Sequence, residues 1–344
     1  MSFKIGNIEF DKPLIPAPME GITDLPFRII CKEQGADLVY TEFIASEALI
    51  RDVEKSLKKM TIHPGERPVA VQIFGANPDA MARSAKIAED AGADILDINY
   101  GCWVKKVVNN NAGSALLKSP ELMAEITRAC AEAVSIPVTI KTRLGWNKSA
   151  MNILEIAQMQ EQAGAKAIAV HCRTRDQGMG GKADWSWIPR IKEKISVPLF
   201  LNGDIVTVED ALRAFDVPGA DGIMIGRAIV GNPFIFKKIK QALAGEEPRE
   251  ETLRERIDVC LRHLDLSCEQ KGPERGILEF RKNYSGYLRG YYNAGAFRQR
   301  LVLSVDRAEI GEILQDYYLY LEREDRLERI PPQEAPKVIC RNDV

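Results

Sequence analysis

The stretch Ala163-Gly164-Ala165-Lys166-Ala167-Ile168-Ala169-Val170-His171 leaves a helix through a glycine, crosses a short apolar run and stops at one chemically competent side chain. Ala91-Gly92-Ala93-Asp94 and Gly219-Ala220-Asp221 make the same passage elsewhere, and glycine there suits a helix C-cap. Eight apolar runs recur in this way, at 14–19, 38–43, 69–74, 95–100, 138–143, 167–171, 199–202 and 222–227. Between them, segments such as 80–91, 121–133, 153–163 and 208–214 carry helical periodicity. Buried parallel strands read as continuous apolar runs, and alternation with helices implies parallel βα units. An open doubly wound sheet would alternate in the same manner. Eight units in about 240 residues favour the α/β class with a (β/α)8 TIM barrel, whose active site lies at the C-terminal ends of the strands.

The chain has 344 residues, 45% of them hydrophobic, enough for a large core and two domains. No apolar run approaches the roughly 18 residues of a membrane span, and Met1-Ser2-Phe3-Lys4 lacks the apolar segment of a signal peptide, so a cytoplasmic protein with no membrane role is expected. Seven cysteines, an odd number without close pairing, suggest neither a disulfide framework nor a metal site. The net charge of −2 gives no global sign of a polyanionic partner, so any nucleic-acid surface must be local.

A basic helix at 237–243 runs into Ala244-Gly245-Glu246-Glu247-Pro248, a polar turn of breaker residues. This divides the chain into a barrel domain at 1–244, a small C-terminal α-helical bundle at 245–330 and a tail at 331–344 that reads as extended or disordered. Helical patterns cover 250–271, 274–291, 295–304 and 307–327, with Asp306 placed as an N-cap before Glu309. Ile277, Phe280, Tyr284, Tyr287, Leu288 and Tyr291 form an aromatic stripe beside Arg281, Lys282 and Arg289, with Arg298 and Arg300 following. Such a surface suits phosphate contact and base stacking; equally, the stripe can be the buried face of a bundle helix with its charges merely solvated.

The strand ends carry the chemistry. Cys102 follows the fourth strand on a loop, after Gly101 and close to Lys105 and Lys106, and can be a proton donor or nucleophile. Cys172 follows His171 directly, and alternation turns it away from that side chain, which makes it structural. Lys141 lies near the end of an apolar strand, where a lysine is costly unless it faces a ligand or an acid such as Glu42. His171 closes the sixth strand. Asn202-Gly203-Asp204 and Gly226-Arg227 close the seventh and eighth, where barrels often bind phosphate. Pro16-Ala17-Pro18-Met19 gives a rigid apolar wall, and Gln72 an amide. Wall, cation, amide and phosphate cradle together fit flavin mononucleotide (FMN). An aldolase or phosphosugar isomerase would reuse the lysine and the cradle, without needing the wall or the rim cysteine.

Several fragments in register carry a resemblance. Ala17-Pro18-Met19-Glu20-Gly21-Ile22-Thr23-Asp24, Gly101-Cys102 with Lys106-Val107, Lys141-Thr142-Arg143-Leu144-Gly145-Trp146, His171 with Arg173-Thr174-Arg175, Ala183-Asp184-Trp185, Asn202-Gly203-Asp204-Ile205 and Gly226-Arg227 with Gly231-Asn232-Pro233 resemble the tRNA-dihydrouridine synthases. Lys105-Lys106-Val107 and Ala112-Gly113-Ser114-Ala115-Leu116-Leu117 are similar to the bacterial B-type branch. Phe280-Arg281-Lys282 and Leu288-Arg289-Gly290 with Arg298-Gln299-Arg300 resemble that family's helical tRNA-binding domain.

The resemblance implies an FMN barrel that uses NADPH to reduce the C5=C6 bond of uridines in tRNA, with hydride delivered to C6 and Cys102 protonating C5. It implies Lys141 at the flavin pyrimidine end, with Gln72 and Pro18 nearby and His171 close to flavin or substrate. Asn202, Asp204, Gly226 and Arg227 would hold ribityl or phosphate, Asn99 the target uracil, and Arg173 and Arg175 the entering RNA. Lys106, Arg281, Lys282, Arg289 and Arg298 are the further tRNA candidates, and a monomer is expected. Three departures stand out: Trp103 where the family usually has Pro, Met179 where an aromatic is common, and Asn283 in place of a usual His. Competing readings are an FMN barrel acting on a free pyrimidine, similar to dihydroorotate dehydrogenases, and an RNA-binding barrel without turnover.

Overall fold

A computed structural model describes residues 2–330. The tail expected at 331–344 lies outside the described residues. The chain begins with an antiparallel hairpin, β1 (Phe3–Ile5) and β2 (Ile8–Phe10), turned by Gly6 at φ +60°. Nine short strands follow: β3 (Leu14–Pro16), β4 (Val39–Tyr40), β5 (Ile44–Ala45), β6 (Val69–Phe74), β7 (Ile95–Asn99), β8 (Val138–Arg143), β9 (Ile168–His171), β10 (Leu199–Asn202) and β11 (Gly222–Ile225). All pair in parallel in the order β3-β11-β10-β9-β8-β7-β6-β4, with β5 also on β6. Between β3 and β4 the ring is bridged by the Asp37 N–H donating to the Leu14 carbonyl at 2.9 Å and the Leu14 N–H to the Asp37 carboxylate at 2.9 Å. The result is the expected TIM barrel.

The second apolar run, 38–43, holds only the two-residue β4, and β5 follows just beyond it. The Gln72 N–H donates to the Thr41 hydroxyl at 3.0 Å, so a side chain replaces the main-chain ladder between β4 and β5 and lets Glu42 and Phe43 turn out toward the mouth. The hairpin, which the apolar runs did not announce, closes the other end. Ile5 and Phe10 pack with Ala70, Ile95, Ala167, Ala169, Phe200 and Met224 in a dry plug across the barrel floor. Between the strands and the outer helices lies the larger core, fed by helices such as Pro78–Asp90, capped by Asn77, and Val208–Phe215, held by a Thr207/Asp210 capping box.

Beyond the barrel, helices Leu253–Lys271, Pro273–Phe280, Ala294–Leu303 and Arg307–Arg323 surround a second core, to which Phe234 also contributes. Asp306 caps the last, accepting from the Glu309 N–H at 2.8 Å. The helix expected at 274–291 is interrupted: Arg281–Asn283 tightens into a 3-10 turn, and a short turn Tyr284–Tyr287 follows. The cause is a backbone contact with the barrel. A Cβ on Gly286 would sit 2.0 Å from the Val230 carbonyl oxygen, and one on Gly231 would sit 2.4 Å from that of Asn283. Around this joint the buried Arg256 donates to the carbonyls of Tyr287 at 2.8 Å and Gly286 at 3.0 Å, and His263 stacks on Phe27 at 5.3 Å. Burial holds His263 near 3, hence neutral.

Candidate active site

Register brings the functional side chains to two successive levels at the strand ends. Asn99 pairs with Lys141 across β7 and β8, Arg143 with His171 across β8 and β9, and His171 with Asn202 across β9 and β10. Residues two apart on a strand share a face, so Lys141 and Arg143 both face the barrel mouth. There they line a cleft of about 1210 Å³, mouth included, with Ala17, Pro18, Met19, Glu20, Cys102, Trp103, His171, Arg173, Asp204, Gly226 and Arg227.

The Cys102 loop is clamped from three sides. Asn99 Oδ1 accepts the N–H groups of Gly101 at 3.0 Å and Cys102 at 2.9 Å. Arg143 Nε donates to the Gly101 carbonyl at 2.8 Å, and the Ser114 N–H to that of Cys102 at 3.0 Å. Gly113 holds φ +59°, and a Cβ there would lie 2.9 Å from the Cys102 carbonyl oxygen, so this close approach needs glycine. Burial pushes the Cys102 thiol above its ordinary range, so it is protonated at neutral pH. Cys172, by contrast, is fully buried in the outer core.

Positive charge dominates the cleft. Burial, then the Arg143 guanidinium, draw Lys141 down to about 8, with Asp97 beneath it acting the other way. No hydrogen bond or ion pair to a described residue engages its ammonium, and Glu42 is committed elsewhere, to the Gly21 N–H and to Lys59 at 3.8 Å. His171 is held well below its usual range by burial and then by Arg143, Lys141, Arg173 and Arg227, and so is neutral. Its Nε2 lies 3.2 Å from Arg173 Nη1, which can only donate; Nε2 therefore accepts and Nδ1 carries the proton. Arg173 is pinned further, to both Asp204 carboxylate oxygens at 2.7 Å and to the carbonyls of Gly180 and Gly181.

The model of the family "Dihydrouridine synthase (Dus)" matches residues 15–321 of this chain. The chain belongs to the dihydrouridine synthase family. It is 39% identical to the "Probable tRNA-dihydrouridine synthase" of Rickettsia conorii over 94% of this chain and 98% of that protein. To proteins named "tRNA-dihydrouridine synthase B" it is 39% identical in Pasteurella multocida, over 92% of this chain and 95% of that one, and 41% identical in Pseudomonas putida, over 86% and 88%. Among solved structures, histamine dehydrogenase from Rhizobium sp. 4-9 aligns with TM-score 0.56 at 15% identity, over 77% of this chain and 50% of that one, so the chain spans about half of that protein's length. Morphinone reductase aligns with TM-score 0.52 at 12% identity, over 72% and 90%. These two likenesses are of fold.

In this dihydrouridine synthase family member, most of the side chains singled out from sequence meet in the cleft: Ala17, Pro18, Met19, Asn99, Cys102, Lys141, His171, Arg173, Asn202, Gly203, Asp204, Gly226 and Arg227. Pro16 and Gln72 are buried below it. Arg173, expected where RNA enters, is a buried strut of the wall, 2% exposed. Arg175 lies on the rim, its guanidinium 4.4 Å over Trp146, which also carries the Lys118 ammonium at 3.6 Å; Lys106 is exposed nearby. Arg281, Lys282, Arg289 and Arg298 belong to the bundle. The Lys282 ammonium donates to the Gly21 carbonyl of the barrel, and Lys271 pairs with Asp24. The aromatic stripe is core: Phe280, Tyr284, Tyr287 and Tyr291 are buried and unavailable for stacking on bases. Sequence reasoning missed Arg143 as a site residue, although its i+2 spacing from Lys141 was the available signal. Trp103 and Met179 line the cleft together, and Trp103 packs against Gly178.

Proposed function

We propose that this chain reduces uridine in tRNA to 5,6-dihydrouridine in the cytoplasm, with FMN in the cleft and NADPH as reductant. The residues fit that cofactor. Lys141, Arg143, Arg173 and Arg227 outnumber the cleft carboxylates Glu20 and Asp204, which suits a phosphate and an electron-rich ring. A Cβ on Gly226 would meet nothing within 4 Å, so the backbone at the end of β11 is open to a phosphate, with Arg227 beside it. Asn202 and the Gly203-Asp204 turn would hold the ribityl chain, Ala17, Pro18 and Met19 the flat ring, and Lys141 the pyrimidine end.

When bound, FMN supplies the hydride for uracil C6. Cys102 supplies the other half of the addition: burial keeps its proton on Sγ, ready for C5, and the thiol regains that proton from solvent between turnovers. Asn99 spends one amide N–H on Gln72 and retains a second for the uracil. His171, neutral with Nδ1–H, offers a donor without adding charge. The rim segment 102–118 carries Lys105, Lys106 and Lys118 and no acidic residue, which suits the phosphates around a flipped-out nucleotide.

The observation that carries this reading is the Cys102 thiol lining the same cleft as the Lys141 ammonium, which no described residue engages by hydrogen bond or ion pair. The test is dihydrouridine formation in unmodified tRNA with NADPH, comparing the native chain with Cys102→Ala. We expect product from the native chain and a loss of roughly 10²- to 10⁴-fold in the variant at equal flavin content. Equal rates would remove Cys102 from the reaction, and turnover of a free pyrimidine with none on tRNA would favour the dihydroorotate dehydrogenase-like alternative.

A further inference from the structure

Beneath the cleft, polar side chains of β6, β7 and β8 form a chain with a fixed direction. Backbone N–H groups only donate, so Asn99 must turn Oδ1 toward Gly101 and Cys102, at 3.0 and 2.9 Å. Its Nδ2 then donates to Gln72 Oε1 at 2.8 Å, and Gln72 Nε2 to Asp97 Oδ2 at 2.7 Å. The other Asp97 oxygen accepts the Thr139 hydroxyl at 2.6 Å. Asn99 is 6% exposed and the other three at most 1%. Both amide orientations therefore depend on an acceptor at the lower end. We infer that Asp97 is a positioning residue that holds the Cys102 loop in place through Gln72 and Asn99.

Two further facts support this. Asp97 faces Gln72 across β6 and β7 and Thr139 across β7 and β8, one pleat below Asn99, so the strand register builds the relay. Burial raises the Asp97 carboxyl to about 6, so a carboxylate occupies this place against its own desolvation. An apolar residue would fill the space without that cost, but would leave the Gln72 amide unanswered.

The inference deepens the proposed reaction and rests on it only for the turnover readout. The main measurement is iodoacetamide labelling of Cys102 between pH 6.5 and 9.5, followed by peptide mass spectrometry, on the native full-length chain, Asp97→Leu, Asp97→Asn and Gln72→Met. A loosened loop returns the thiol toward water, and each unit of pKa recovered is worth about tenfold in thiolate. We expect labelling at neutral pH to rise roughly tenfold in Asp97→Leu and Gln72→Met, and to stay within about twofold of native in Asp97→Asn, which keeps an acceptor oxygen. In turnover, the first two variants lower kcat with the KM for tRNA unchanged. Unchanged labelling in a Gln72→Met protein of native melting temperature overturns the inference; so does an equal rise in Asp97→Asn, which would transfer the role to charge. Should Asp97→Leu fail to fold, Gln72→Met decides. Labelling needs neither flavin nor tRNA, so a native chain that passes this test but makes no dihydrouridine would sink the proposed function alone.

Discussion

Replacing Lys141 with methionine removes the ammonium and keeps most of the stem's volume. In the flavin-free protein Lys141 titrates near 8, drawn down from 10.5, chiefly by burial. Its charged form is thus disfavoured in the fold by about 2.5 pKa units, or about 3.3 kcal/mol at pH 7. The sign follows from linkage: the penalty is fully present below pH 8, shrinks as pH rises toward the unfolded value, and is about 1.4 kcal/mol at pH 9.5. Lys141→Met should therefore stabilise the flavin-free protein, raising the barrel's melting temperature by about 5 °C at pH 7 and by less than half of that at pH 9.5. The same variant should bind FMN more weakly, since the burial cost is repaid by the ligand's negative charge. Scanning calorimetry of stripped native and variant protein at both pH values is the assay. A lower melting temperature for the variant at pH 7, or a gain that does not shrink with pH, would refute this account of Lys141.

Other expectations concern the wall, the rim and the joint. Arg173→Ala leaves the Gly180 and Gly181 carbonyls without their donor and strips Asp204 of its close ion pair, though not of the Ala183 N–H, and should cost about 3 kcal/mol in urea unfolding together with loss of bound flavin. Lys106→Met should lower the salt dependence of tRNA affinity by about one in slope, whereas Lys282→Met should leave that slope unchanged, because its ammonium is spent on the Gly21 carbonyl; equal slopes for the two variants would contradict this. Gly286→Ala should destabilise by about 3 kcal/mol through its clash with the Val230 carbonyl, read as a lower urea midpoint, and an unchanged midpoint would show that the joint can yield.

The barrel was legible in sequence because each buried parallel strand is largely apolar and ends where its chemistry begins. Lys141, His171 and Asn202 could be placed at strand ends without knowing register. The N-terminal hairpin escaped because three-residue strands give too little alternation, although Gly6-Asn7 between Ile5 and Ile8 is a turn signal. Arg173 was expected near RNA because a sequence does not show that Asp204, at the next strand end along the chain, lies 2.7 Å from it and holds it in the wall. The bundle's stripe illustrates the same limit. Spacing shows that Phe280, Tyr284 and Tyr287 share a face, but only the fold shows that the face is inward. The relay under Cys102 was invisible for a related reason: Gln72, Asp97 and Thr139 sit on three strands, and although Gln72 stood out as an amide, nothing local shows that it pairs with Asp97.

The contact of Gly231 with Gly286 has a consequence for how a long substrate is addressed. Two main chains meet there without side chains between them, so no change of rotamer can soften or re-aim the angle at which the bundle leaves the barrel. Under the proposed function the bundle would act as a fixed jig: residues on its surface would decide how firmly a rigid RNA is gripped, while the joint would decide which point along that RNA reaches the cleft. Exchanging surface charges would retune the grip and leave the address unchanged; changing the address would require rebuilding the joint.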